Sequence, residues 1–181
     1  MTGSSQPFAP IAPVSDDLLN VGLWAVAWTK PRCEKVLNEF LVARHVPSFL
    51  PLVSKRRIYG THVRVSHLPL FASYVFFDGH AISRNEVFAS HRVAEVLYPA
   101  DPEELRQDLS NLALALRSDD SLREARFGQA GRRVYVARGP MKGLCGELVR
   151  YESRSRILVR VGFIGKAAEL EIDEAFIEPA L

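Results

Sequence analysis

Leu70-Phe71-Ala72-Ser73-Tyr74-Val75-Phe76-Phe77 is the most apolar strand-like run in the first half of the chain. Side chains along a strand alternate between two faces. Phe71, Ser73, Val75 and Phe77 therefore share one side, and Leu70, Ala72, Tyr74 and Phe76 share the other. Both sides are apolar and both carry large aromatics. A sheet packed against helices on one side needs only one such face, so the second face asks for a cover. Residues 22–29 show the same excess, with Trp24, Val26 and Trp28 opposed by Leu23, Ala25 and Ala27. The cover is either another part of the same chain, such as the C-terminal unit, or a partner protein. A partner would use the aromatics as anchors.

The flanking segments predict an α+β unit. After the strand at 22–29, Pro31 fits the first turn of a helix, and Val36, Leu37, Phe40 and Leu41 recur at helical spacing to about His45. Pro47 and Pro51 end that helix. Residues 54–68 read as a hairpin about Gly60-Thr61, in which Val63 and Val65 alternate with Arg64 and Ser66. A short helix near 84–90 and a strand near 93–98 follow. The next helix has Asp101 as its cap, Pro102 at its first position and Glu104 three residues after the cap. Leu105, Leu109, Leu112 and Leu116 line one side of it. The expected arrangement places the helices on one face of an antiparallel sheet.

Residues 118–128 are polar and charged, which predicts a linker between domains. From Gly131 onward short strands separated by glycine turns predict a small closed β-barrel. The expected division is a disordered extension at 1–20, a first domain at 21–117, the linker at 118–128 and an all-β domain at 129–181. Residues 1–20 have neither the basic cluster nor the apolar core of a secretory signal.

Composition excludes several classes. Hydrophobic residues make up 48% and charged residues 24%, and the net charge is +2, too small for a general nucleic-acid coat. Charge is uneven, however: Lys55, Arg56, Arg57, His62, Arg64 and His67 fall in one acid-free stretch. That stretch is either a solvated hairpin face or a surface for nucleic acid or an acidic partner. Cys33 and Cys145 lie far apart without further ligands at zinc spacing, which predicts reduced thiols, no metal and a cytoplasmic setting. No nucleophile, metalloprotease, phosphate-loop or dinucleotide motif is present, so neither an enzyme nor a cofactor is expected.

The motifs resemble those of the NusG family. Leu23-Trp24-Ala25-Val26 resembles its tryptophan-led first strand, and 70–76 its L-F-P-G-Y-V-type strand, with Ala72-Ser73 in place of Pro-Gly. Gly139-Pro140-Met141-Lys142-Gly143-Leu144-Cys145-Gly146 resembles the glycine turn of a KOW domain, and 161–172 resembles its closing strands. The resemblance implies a ferredoxin-like N-terminal domain followed by a KOW barrel, in a monomeric transcription elongation factor without membrane attachment. Such a factor docks on the β′ clamp helices of RNA polymerase, reaches toward the β subunit and suppresses pausing or termination. By this resemblance the polymerase-binding candidates are Trp24, Trp28, Leu70, Tyr74, Phe76 and Tyr98. Lys30, Arg32, Lys55, Arg56, Arg57, Arg64, His91 and Arg92 are candidates for contact with nucleic acid, the non-template DNA strand in particular. Phe163, Ile164 and Lys166 would meet a partner of the KOW domain, Rho or a small-subunit ribosomal protein. Ile164 stands where housekeeping members carry phenylalanine, which points to a specialised branch similar to RfaH that acts in antitermination. A ribosome-associated RNA-binding protein, using the KOW barrel and the basic hairpin, is the alternative.

Overall fold

The computed structural model describes residues 21–118, 122–125, 131–151 and 154–180. The expected extension at 1–20 lies outside them, as does most of the expected linker.

The first unit runs β1 (Trp24–Thr29), α1 (Glu34–Val42), β2 (Ser48–Phe49), β3 (Leu52–Tyr59), β4 (His62–Pro69), β5 (Tyr74–Asp78), α2 (Arg84–Ala89), β6 (Val93–Leu97) and α3 (Pro102–Ser118). β2, β5, β1 and β6 form one antiparallel sheet in that order. Among the described residues β3 and β4 pair only with each other, as a separate ribbon inserted in sequence between β2 and β5. Without the ribbon, the order of elements and strands is ferredoxin-like, as expected.

The expectation of helices on one face holds for two of the three. Ala25, Ala27, Val75 and Phe77 pack with Leu37 and Leu41 of α1 and Val87 of α2. The opposite face carries Trp24, Val26 and Phe76, and it packs into one core with Leu105, Leu109 and Leu112 of α3. The excess apolar face legible in the sequence is therefore covered largely by the chain's own third helix.

Three boundaries differ from the sequence expectation. α1 begins at Glu34, so Pro31 lies in the turn before it. Residues 70–73 form a turn, and β5 starts only at Tyr74. Ser73 adopts φ 68° there, a left-handed backbone that ends strand geometry. Within the expected linker, β7 (Arg123–Glu124) joins the C-terminal sheet by pairing with Ala168 and Glu169, and Leu122 is buried in the core. A two-residue strand made of charged residues offers no alternation by which to recognise it.

The C-terminal unit adds β8 (Arg132–Val136), β9 (Cys145–Tyr151), β10 (Arg154–Val161), β11 (Lys166–Glu171) and β12 (Ile177–Pro179). Its antiparallel sheet has the order β12-β8-β9-β10-β11-β7. The class is thus α+β followed by all-β, as the sequence implied. Among the described residues no ladder joins β12 to β7, so the sheet is open along that seam.

The two units meet on α3. Val134, Val136, Leu144, Ile157, Val159 and Val161 belong to the same core as the α3 leucines. The polar side of α3 also bonds the second unit: Asp108 Oδ2 accepts from Gly162 N–H at 2.8 Å, and Asn111 Oδ1 accepts from Cys145 N–H at 3.3 Å. Burial raises the Asp108 carboxyl above its ordinary range against the pull of the Gly162 amide, and Glu104 adds to the rise. A carboxyl raised on folding disfavours the folded state when ionised, and the penalty fades as pH falls through the raised value toward the ordinary 3.8. Asp108→Asn keeps an acceptor for Gly162 and removes the charge. Its melting temperature should exceed that of the wild type near neutral pH, and the gap should close toward about pH 4.

Candidate functional site at the open end of the sheet

Cover over the α3 face ends abruptly. Across the sheet, Val26 of β1 stands between Phe76 and Leu97, and Trp28 stands between Tyr74 and Glu95. In the first row Val26 and Phe76 are both 0% exposed. In the second, Trp28 is 47% exposed, Tyr74 is half-buried and Glu95 is exposed. The β1–β6 register slips between Trp28 and Thr29, an irregularity that bends a strand and re-aims its side chains.

This geometry revises the expected surface. Trp24, Leu70 and Phe76 are buried, at 1%, 3% and 0% exposure, and offer nothing to a partner. Tyr98 is exposed but sits elsewhere, against Gly79 and close to Ala25 on the α1–α2 side. Trp28 and Tyr74 are what is left of the predicted patch.

The loops around these two residues are fastened together. Thr29 N–H donates to Ser73 O at 2.9 Å, and Lys30 N–H donates to Arg92 O at 2.8 Å. Lys30 Nζ donates to His91 O at 3.0 Å. The buried Glu34 carboxylate accepts from Ser73 N–H at 2.7 Å, which ties the 70–73 turn to the start of α1. Arg32, Ser73 and His91 have φ values of 62°, 68° and 57°. Left-handed backbone costs a non-glycine residue about 1–3 kcal/mol. At His91 the conformation ends α2, an ordinary place for it. At Arg32 and Ser73 it shapes loops that flank the open aromatics.

Lys30, His91 and Arg92 are thereby brought together just beyond the strand end that carries Trp28, with Arg32 in the turn that follows, although Lys30 already spends one donor on a carbonyl. Lys55, Arg56, Arg57 and Arg64 lie apart from them on the ribbon. Sequence reasoning missed Glu34 and Glu95. The signal for Ser73 was available: it occupies the glycine position of the Pro-Gly pair that Ala72-Ser73 replaces.

The three residues expected to meet a partner of the C-terminal unit are divided. Ile164 packs against the shared core, Lys166 Nζ pairs with Glu124 Oε1 at 2.8 Å, and Phe163 is 37% exposed. The turn that carries Phe163 and Ile164 is held to α3 by the Gly162–Asp108 bond. Among the described residues no group of His, Cys, Asp or Glu side chains is placed to hold a metal, and no helix is long and apolar enough to cross a membrane.

No family model matches the chain, and no curated protein matches it. Several solved structures are similar. One of them comes from work on domain interaction in NusG of Thermotoga maritima; its identity to this chain is 18%, its TM-score is 0.47, and the match covers 88% of this chain and 97% of that one.

Proposed function

We propose that this chain is a NusG-type transcription elongation factor that docks on RNA polymerase through the Trp28–Tyr74 end of its first sheet. The observation that carries the reading is the aromatic row left open on a face that is otherwise sealed. An exposed tryptophan beside a half-buried tyrosine, on a rigid sheet, has the make-up of an interface anchor. Its partner is the pair of clamp helices of the β′ subunit, as the sequence resemblance implies. Lys30, Arg32, His91 and Arg92 rim the same end, where they would run along the non-template strand. The protein acts in the cytoplasm without catalytic residues, by holding the clamp and suppressing pauses or termination. Ala72-Ser73 and Ile164 favour a specialised, antiterminating member over a housekeeping one.

Capture of core RNA polymerase on the immobilised full chain tests this. Trp28→Ala and Tyr74→Ala should each weaken capture by roughly 30-fold, the effect of losing about 2 kcal/mol at an anchor, with little change in melting temperature for Trp28→Ala. Undiminished capture by both folded variants would sink the proposal. Ribosomal RNA binding by the C-terminal unit has less support. Arg123, Arg150, Arg154, Arg156 and Arg160 each hold a glutamate of that unit, which offsets those five of its positive charges.

A further inference from the structure

Ser73 joins the two open aromatics, and both of its backbone polar groups are engaged. Its carbonyl accepts from the N–H of Thr29, the residue after Trp28, at 2.9 Å. Its own N–H donates to Glu34 Oε1 at 2.7 Å. Tyr74, the cross-strand partner of Trp28, comes next in the chain. The backbone at Ser73 therefore sets the direction in which the chain enters β5 and delivers the Tyr74 ring. That backbone is left-handed, with φ 68°, a region that serine seldom occupies.

Glu34 supplies what serine lacks. An acid in the first turn of a helix is ordinary, because the helix dipole favours it there. The dipole gives no reason to bury it, and a carboxylate taken out of water needs a partner. Glu34 is 6% exposed, and its bond reaches across 39 residues of sequence to the Ser73 amide. A carboxylate acceptor makes such a bond short and about twice as strong as one between neutral groups.

We propose that Glu34 is a positioning residue for the Trp28–Tyr74 docking site, holding Ser73 in the left-handed backbone from which Tyr74 is presented beside Trp28. It touches no partner itself and acts through the Ser73 amide. Its effect on binding rests on the polymerase reading above; its effect on the turn does not. Without the carboxylate the turn relaxes toward the backbone that serine prefers, and only a fraction of molecules presents Tyr74 correctly. The apparent dissociation constant then rises by the inverse of that fraction. A tenfold rise corresponds to about 1.4 kcal/mol, within the range that such backbone strain spans.

The test combines capture of core RNA polymerase by the full chain with NMR of the free protein. Glu34→Ala should weaken capture about tenfold. Glu34→Gln keeps an acceptor for Ser73 and should stay within about twofold of wild type. Glycine takes a left-handed backbone without a Cβ penalty, so Glu34→Ala/Ser73→Gly should return to within about threefold. The glycine does not refill the space left by the glutamate, so the melting temperature of the double variant should stay below wild type while capture returns. A merely structural role would move both together. In the free protein the Ser73 amide proton should shift upfield in Glu34→Gln, whose acceptor is uncharged. The Trp28 indole N–H signal should move in Glu34→Ala and return in the double variant. Unweakened capture by folded Glu34→Ala, no rescue by glycine, or a Ser73 amide unmoved in Glu34→Gln would each overturn the proposal. The last of these needs neither polymerase nor the alanine variant. If Trp28→Ala leaves capture intact while the free-protein signals move as expected, the positioning role stands and only the polymerase reading fails.

Discussion

Phe76→Ala is expected to lower folding stability by about 3–5 kcal/mol, the usual loss when a buried phenylalanine is truncated. The ring is 0% exposed, pairs across the sheet with Val26 and lies 6.1 Å from the Phe49 ring. Nothing adjacent can fill the space, because the same core is fixed on its far side by α3. For a chain of this size the loss should appear as a fall of roughly 10 °C in melting temperature. Trp28, two residues from Val26 on the same face, should behave in the opposite way: its truncation should change melting little and partner binding much. A Phe76→Ala protein that melts with the wild type would show that the α3 face is not sealed. The same contrast guards the capture assay, since loss of polymerase by Phe76→Ala would report unfolding rather than a lost contact.

Gly146→Ala is the second large effect, and it acts in the C-terminal unit. A methyl group at Gly146 would sit 2.5 Å from Leu158 O and 2.7 Å from Ile157 Cγ1. The first neighbour is backbone of the adjoining strand and cannot rotate aside. Gly146 also pairs with Val134 of β8, so β9 is held on both sides. Opening the β9–β10 pair should cost about 1–3 kcal/mol, as overpacking does. The lost glycine entropy in the unfolded chain returns at most about 1 kcal/mol. A lower melting temperature is the expected reading, and an unchanged or higher one would mean that the strands do not approach as closely as described.

Sequence reading succeeded where a pattern repeats. Alternation placed the ribbon and most strands within a few residues, and Asp101 caps α3 as expected, accepting from the Glu103 and Glu104 amides at 3.0 and 3.1 Å. The demand for a cover over Trp24, Val26 and Phe76 was also legible, but not its source. Leu105, Leu109 and Leu112 predicted that α3 packs on something, without saying on what. Nothing marked Asp108 and Asn111, because the sequence does not distinguish a side chain that meets water from one that meets a backbone amide. The site was half legible for the same reason. Trp28 and Phe76 look alike in an alternating pattern, and only the reach of α3 separates the open aromatic from the sealed one.

Helix α3 has a consequence for anyone who recombines these modules. Between Leu105 and Leu116 the one exposed position is Gln107, and the helix packs or hydrogen-bonds with both units. A chimera that takes its C-terminal portion from a homologue should therefore import the helix with it, and then re-match the leucines to the recipient sheet. Grafts joined at residue 118 would leave Asp108 and Asn111 facing a foreign β-unit whose turn amides must fall in the same places as those of Gly162 and Cys145. Inheritance in this chain is expected to run in blocks that include the helix, with substitutions along α3 compensated on both sides of it.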